Sequence, residues 1–179
     1  ALGFDKMQKG SLSSVFSDRA NPVQPHIEAM MEVRELENGP PAAQLFGNAG
    51  REHMDKYGTT EEHFAKIAWK NHKHSVNNPK SQFQDEYTLD QIKASPKVHS
   101  PLTKLQCCPT SDGGAAAVVV SEKFVKERKL EDRAVEILGM EMATDLSSTF
   151  NEKSCMKAVG FDMTALAANN LFTRTGVKP

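Results

Sequence analysis

Residues 115–120, AAAVVV, form an unbroken apolar run directly after Asp112, Gly113 and Gly114. A run of that length is far short of the roughly 20 residues that cross a bilayer. It matches a strand buried on both faces, and such a strand needs helices or a second sheet to cover it. The run therefore predicts a layered α/β architecture. The glycines ahead of it belong to neither a GxxxxGK nor a GxGxxG pattern, so they read as a turn into the strand and not as a phosphate loop.

Helical periodicity dominates the middle of the chain. From Pro41, Leu45, Phe46, Ala49, His53, Met54 and Tyr57 recur at three- and four-residue steps, which predicts a helix stopped by Gly58. Thr59 with Glu62 reads as a capping box that opens a second helix, and Asn78-Pro79 ends it. A wheel of that second helix places His63, Lys66, Lys70, Lys73 and His74 on one face and Phe64, Ile67, Ala68, Asn71 and Ser75 on the other. Residues 88–95 predict a shorter helix. Residues 10–44, rich in Ser, Pro and Asn, read mostly as loop.

Residues 1–4 read as the end of a strand, 102–107 and 133–145 as further strands. Ser121 is expected to cap a short helix through Leu130, and Asp162 a final helix to Thr175 stopped by Gly176. Strands and helices thus alternate around a mainly helical insert at about residues 20–100. Both ends read as cut from something longer, and no internal repeat is visible.

Lysine and arginine number 22 against 23 acidic residues, so nothing favours a nucleic acid or an anionic membrane as the main partner. Three cysteines do not make a disulfide framework and suggest a reducing compartment. His72 and His74, two apart on a helix, point in different directions, and no HExxH or CxxC supplies further ligands, so no metal site is expected. The cationic row of the second helix is most simply a solvated face, though it could hold phosphates through charge-assisted hydrogen bonds. Cys107 and Cys108 leave two readings open, a nucleophile or a packed thiol. Pro109 removes the free helix N-terminus that would activate a thiolate, which weighs toward packing.

Two segments, HMDKYGTTEEHFAKIAWKNHKHSVNNPKSQFQDEYTLD and QCCPTSDGGAAAVVVSE, together with ALGFDKMQKGSL and VGFDM in the same order, resemble the thiolase domain of the sterol carrier protein x family. This is the peroxisomal branch of the thiolase superfamily, and the resemblance covers almost the whole chain, least around residues 21–40. It implies two similar layered α/β halves with a helical loop domain inserted in the first. On that basis residues 1–20 close the N-terminal half, 21–100 form the loop domain, 101–145 supply the last strands and helix of that half, and 146–179 open the C-terminal half.

The resemblance also implies thiolytic cleavage of 3-oxoacyl-coenzyme A in fatty, branched-chain or sterol side-chain oxidation, with coenzyme A as substrate, a homodimeric or homotetrameric assembly and a peroxisomal location, alternatively mitochondrial or cytoplasmic. The family's nucleophilic cysteine would precede Ala1 and its HDCF histidine would follow TGVKP. No catalytic residue is therefore assigned, and the segment alone is expected to be inactive. Cys108 falls where the family has a serine on the pantetheine channel, in the segment usually written NASGINDG, with Pro109 and Thr110 beside it. The loop domain carries coenzyme A in thiolases, which makes Lys66, Lys70, Lys73 and His74 candidate phosphate contacts and adds Tyr57 and His72. Two further readings stand beside this one: a shortened non-catalytic coenzyme A, lipid or assembly module, and, with least support, a Cys-His hydrolase using Cys108.

Overall fold

The computed structural model describes residues 1–7 and 18–179. The part of the expected loop at residues 10–17, and most of the segment KMQKGSL, lie outside the described residues. Helices and two small two-stranded ladders make up the described residues, in keeping with a mixed α/β class. The chain divides into two compact units: Ala1–Arg19, Pro109–Met142 and Ala167–Pro179 in one, Ala20–Cys108 and Ala143–Leu166 in the other.

The first unit is built on an antiparallel ribbon of β1 (Leu2–Asp5) and β4 (Gly113–Ala116), in register from Leu2 opposite Ala116 to Asp5 opposite Gly113. Its end is tied by Ala1 and Ala117, each donating to the other's carbonyl, and by the Met7 amide donating to Asp112 Oδ1 at 2.7 Å. Gly113 opens β4 with Asp112 just ahead of it, but the two residues do not form the expected turn. The buried strand expected over residues 115–120 is corrected: only Ala115 and Ala116 lie in the ladder, both strands are exposed throughout, and Val118 is 91% exposed. The ladder pairs Gly, Gly, Ala and Ala with Leu, Gly, Phe and Asp, too little apolar bulk to draw a cover over itself.

Beyond α5 (Glu122–Arg128), which starts at a Ser121 cap as expected, Arg133 closes a 3-10 turn and residues 134–145 join no ladder. A strand requires a hydrogen-bonded neighbour, and none of the described strands lies beside this one. The segment is instead fastened to the C-terminal part of α8 (Phe161–Thr175): Arg174 donates to the Met140 carbonyl at 3.0 Å and pairs with Glu141 at 2.9 Å. Gly139 makes this approach possible, since a Cβ there would lie 2.5 Å from the Thr175 methyl. The helix ends at Gly176 with φ 71°, where only glycine is comfortable.

The second unit centres on α2 (Pro41–Tyr57). One side of it packs with α1 (Gln24–Met31) and α7 (Cys155–Ala158) around Met30, Ala49, Cys155 and Met156. The presence of α1 corrects the loop expected there: Ile27 and Met30 recur at a helical step and give the segment a face to bury. A second cluster joins α3 (Glu61–Ser75) to α4 (Leu89–Ala94) through Ala65, Ala68 and Ile92. The hairpin of β2 (Lys97–His99) and β3 (Leu102–Thr103) lies against α2, and Gly47 permits it, because a Cβ there would come within 2.7 Å of the His99 ring.

Local hydrogen bonds explain the remaining departures from expectation. The cap of α3 is Thr60 with His63, not Thr59 with Glu62: the Thr60 amide donates to His63 Nδ1 at 3.0 Å. Residues 102–107 are not one strand, since Gln106 Oε1 accepts from the Thr103 amide at 2.7 Å and closes a 3-10 turn at Lys104–Gln106. Asp162 lies inside the first turn of α8 and does not cap it; its carboxylate accepts from the hydroxyl of Ser148, which belongs to α6 (Ser147–Asn151), at 2.6 Å and from Lys157 at 2.9 Å.

Candidate functional site

The α3 helix presents most of the candidate cations. Lys66, Lys70, Lys73 and His74 are all exposed, as the wheel implies, and Ala65, Ala68, His72 and Ser75 turn inward. The inward face is rotated by one position from the expected one, so Ile67 and Asn71 are exposed. Lys66 pairs with Glu62 one turn earlier at 2.8 Å, which holds the Glu62 carboxyl below its ordinary range. An exposed pair of this kind is screened by water and salt, so Lys66 remains free to exchange partners. Lys73 lies over the Trp69 ring at 5.0 Å.

His72 has a different position from its neighbours. Its Nε2 donates to the Leu105 carbonyl at 2.9 Å and its ring meets Tyr87 edge-on at 4.9 Å. It therefore fastens the backbone just ahead of Cys107 to α3 through Nε2. Tyr57, at the end of α2, is 55% exposed and meets the His53 ring at a tilt of 51°; His53 Nδ1 is 2.7 Å from the Thr59 hydroxyl.

Of the adjacent thiols, Cys107 is half-buried and Cys108 exposed. Burial, and then the neighbouring Cys108, push the Cys107 thiol above its ordinary range. Cys108 makes no hydrogen bond to a histidine among the described residues, so no Cys-His pair is assembled there. Pro109 and Thr110 are exposed. Two groups that the sequence reading passes over stand out beside these candidates. Asn48 is buried on α2, and Glu52, one turn on, accepts from the Ser154 hydroxyl and the Met156 amide, holding the start of α7. Their spacing on one face of α2 is the only sequence signal for them.

No family model matches the chain. It is 60% identical over all 179 residues to sterol carrier protein 2 of Gallus gallus and 50% identical over 181 aligned positions to non-specific lipid-transfer protein-like 2 of Caenorhabditis elegans, covering 33% and 44% of those proteins. It is also 29% identical over its full length to an acetyl-CoA acetyltransferase of Methanothermobacter thermautotrophicus, covering 43% of that protein. The chain therefore spans about a third of the sterol carrier protein it resembles, and its sequence is similar both to sterol carrier proteins and to thiolase-type acyltransferases.

Proposed function

We propose that the chain is part of a 3-oxoacyl-coenzyme A thiolase, an acyltransferase that breaks the C2–C3 bond of its substrate with a second coenzyme A, giving acetyl-coenzyme A and a shortened acyl-coenzyme A, in fatty, branched-chain or sterol side-chain oxidation. The observation that carries this reading is the exposed cation row of α3. It occurs in a chain whose full length aligns with an acetyl-CoA acetyltransferase. Coenzyme A carries a diphosphate and a ribose phosphate, and Lys66, Lys70, Lys73 and His74 offer four donors along one helix for charge-assisted bonds to them. Cys108, Pro109 and Thr110 line the pantetheine arm in this reading, with Tyr57 near the adenosine end and His72 holding the intervening backbone. The thiolase-fold assignment of the four segments, a homodimer or homotetramer, and a peroxisomal location belong to the same proposal.

Calorimetric titration of coenzyme A into the chain tests it. Binding is expected to be weak and to fall steeply in the triple variant Lys66→Gln, Lys70→Gln, Lys73→Gln, by about tenfold for each phosphate contact removed. Unchanged affinity in that variant removes α3 from the site. A second reading, a non-catalytic lipid-binding or assembly module, is favoured by the exposed apolar residues of the first unit and by the lipid-transfer names among the relatives. Thiolytic cleavage of a 3-oxoacyl-coenzyme A by the full-length polypeptide separates the two.

A further inference from the structure

Cys107 and Cys108 are neighbours in the chain, and both thiols are free. The 3-10 turn at Lys104–Gln106 fixes the first of them. The Cys107 amide donates to the Lys104 carbonyl at 3.2 Å, and His72 holds the Leu105 carbonyl at 2.9 Å. The Cys107 side chain is half-buried there. Beyond it these ties stop. Cys108 is exposed, residues 108–112 belong to no helix or strand, and no hydrogen bond holds the Cys108 backbone among the described residues.

Two sulfurs on adjacent residues have a chemistry that a single thiol lacks. An exposed thiolate oxidised to a sulfenic acid condenses with a second thiol within reach and forms a disulfide. Cys107 is extended, at φ −100° and ψ 141°, and successive side chains of an extended chain leave on opposite faces. Closure therefore needs a turn at Cys107–Cys108, and the unbonded Cys108 backbone leaves the chain able to make it. Burial, and then the neighbouring Cys108, keep the proton on Cys107, so the open Cys108 sulfur meets an oxidant first. The third thiol, Cys155, is fully buried and does not stand in for either.

We propose that Cys107 and Cys108 are a hydroperoxide-responsive dithiol that closes to a disulfide between adjacent residues. The Cys108 thiolate attacks the outer peroxide oxygen, the O–O bond breaks, and the alkoxide or hydroxide leaves with the thiol's proton as an alcohol or water. Cys108 is left as a sulfenic acid. The Cys107 sulfur then attacks the Cys108 sulfur, the hydroxyl departs with the Cys107 proton as water, and the S–S bond forms. The two sulfurs lose two electrons and the peroxide gains them. Adjacent Cα atoms lie about 3.8 Å apart, short of the roughly 4.4 Å at which ordinary disulfides begin. The closed form is therefore strained, and strained, exposed disulfides are the readily reduced ones. This makes the pair a reversible switch and not a structural bridge. The chain passes from the second unit to the first directly after Cys108, so closure turns the segment that joins them. The proposal is independent of the acyltransferase reading.

Hydrogen peroxide added to the native chain tests it, followed by iodoacetamide and mass spectrometry of the tryptic fragment 105–123, which holds both thiols and no other. The fragment is expected to lose about 2 Da and to resist alkylation, and glutathione is expected to restore both thiols. In Cys107→Ser, Cys108 has no second sulfur to trap its sulfenic acid and is expected to run on to the sulfinic acid, a gain of about 32 Da. In Cys108→Ser, Cys107 is expected to oxidise roughly tenfold more slowly than Cys108 does in the wild-type chain. A wild-type fragment that gains oxygen as readily as Cys107→Ser overturns the site. A disulfide that links two chains in place of the adjacent pair overturns it as well, and one that glutathione leaves intact overturns the switch.

Discussion

Alkylating reagents attack thiolates, so the reactivity of each cysteine follows how easily its proton leaves and how open the sulfur is. Cys155 is fully buried in the α1–α2–α7 cluster, and burial, with the Glu52 carboxylate adding to it, pushes its thiol up to about 11; Arg34 opposes this without reversing it. At pH 8 about one Cys155 in a thousand is then ionised, and its sulfur is closed to reagent as well. Iodoacetamide followed by peptide mass spectrometry is expected to label Cys108 first, Cys107 later, and Cys155 only after unfolding. Labelling of Cys155 in the native chain at the rate of Cys108 would contradict the packing of α7 on α2. The same ordering bears on the hydrolase reading of Cys108, which has an open sulfur but no hydrogen bond to a histidine among the described residues.

At the scale of elements, the junction of α6, α7 and α8 is held by charge. Lys157 pairs with Glu152 at 2.6 Å and Asp162 at 2.9 Å, and both bonds raise its pKa, that from Glu152 most. The Asp162 carboxyl is lowered, first by the Ser148 hydroxyl and then by Lys157. A depressed carboxyl stabilises the fold above its unfolded pKa and loses that contribution as pH falls through the folded one. A raised lysine contributes fully below its unfolded pKa and loses the contribution as pH rises through the folded one. The junction is thus most stable between about pH 4 and pH 10. Thermal melts of Asp162→Asn are expected to show a lower midpoint at neutral pH and a flatter acid limb, while an acid limb identical to wild type would rule this junction out as its cause.

These charged contacts show what the sequence could and could not reveal. Helix ends were legible where the signal is local: Gly58 and Gly176 take the left-handed conformation, and Ser121 caps as expected. The phase of α3 was one position out because a wheel knows only side-chain polarity. Ala65 faces inward since small residues let Ile92 approach, and His72 since Leu105 offers it a carbonyl. The cation row survived that shift because it faces solvent either way. Strands fared worst. Residues 133–145 and 117–120 have strand-like composition, but pairing is decided by a distant partner and no local pattern encodes it. For the same reason the contacts of Asn48 and Glu52 could not be read: they exist only once α2, α7 and the hairpin are in place.

On the scale of the whole molecule, the first unit exposes what a folded protein usually hides. Leu2, Phe4, Val118, Val119, Val135 and Met142 are all exposed there, Phe4 at 79%. Its ladder has two strands only, so each strand keeps one edge of amide and carbonyl groups without a strand partner among the described residues. A two-stranded ribbon is marginal alone, and an open edge beside apolar side chains is a template for another chain. The ribbon carries Asp5 as the only charge in either strand, a weak guard against such pairing. The chain is therefore expected to self-associate at tens of micromolar, giving a light-scattering mass well above 19.7 kDa. Leu2→Lys with Val118→Lys puts two charges beside the edge and is expected to bring the mass down toward one chain. A wild-type chain that scatters as a clean monomer and melts in one cooperative step would mean that the ribbon is covered by its own chain. Association that the double lysine variant leaves intact would move the contact to another surface.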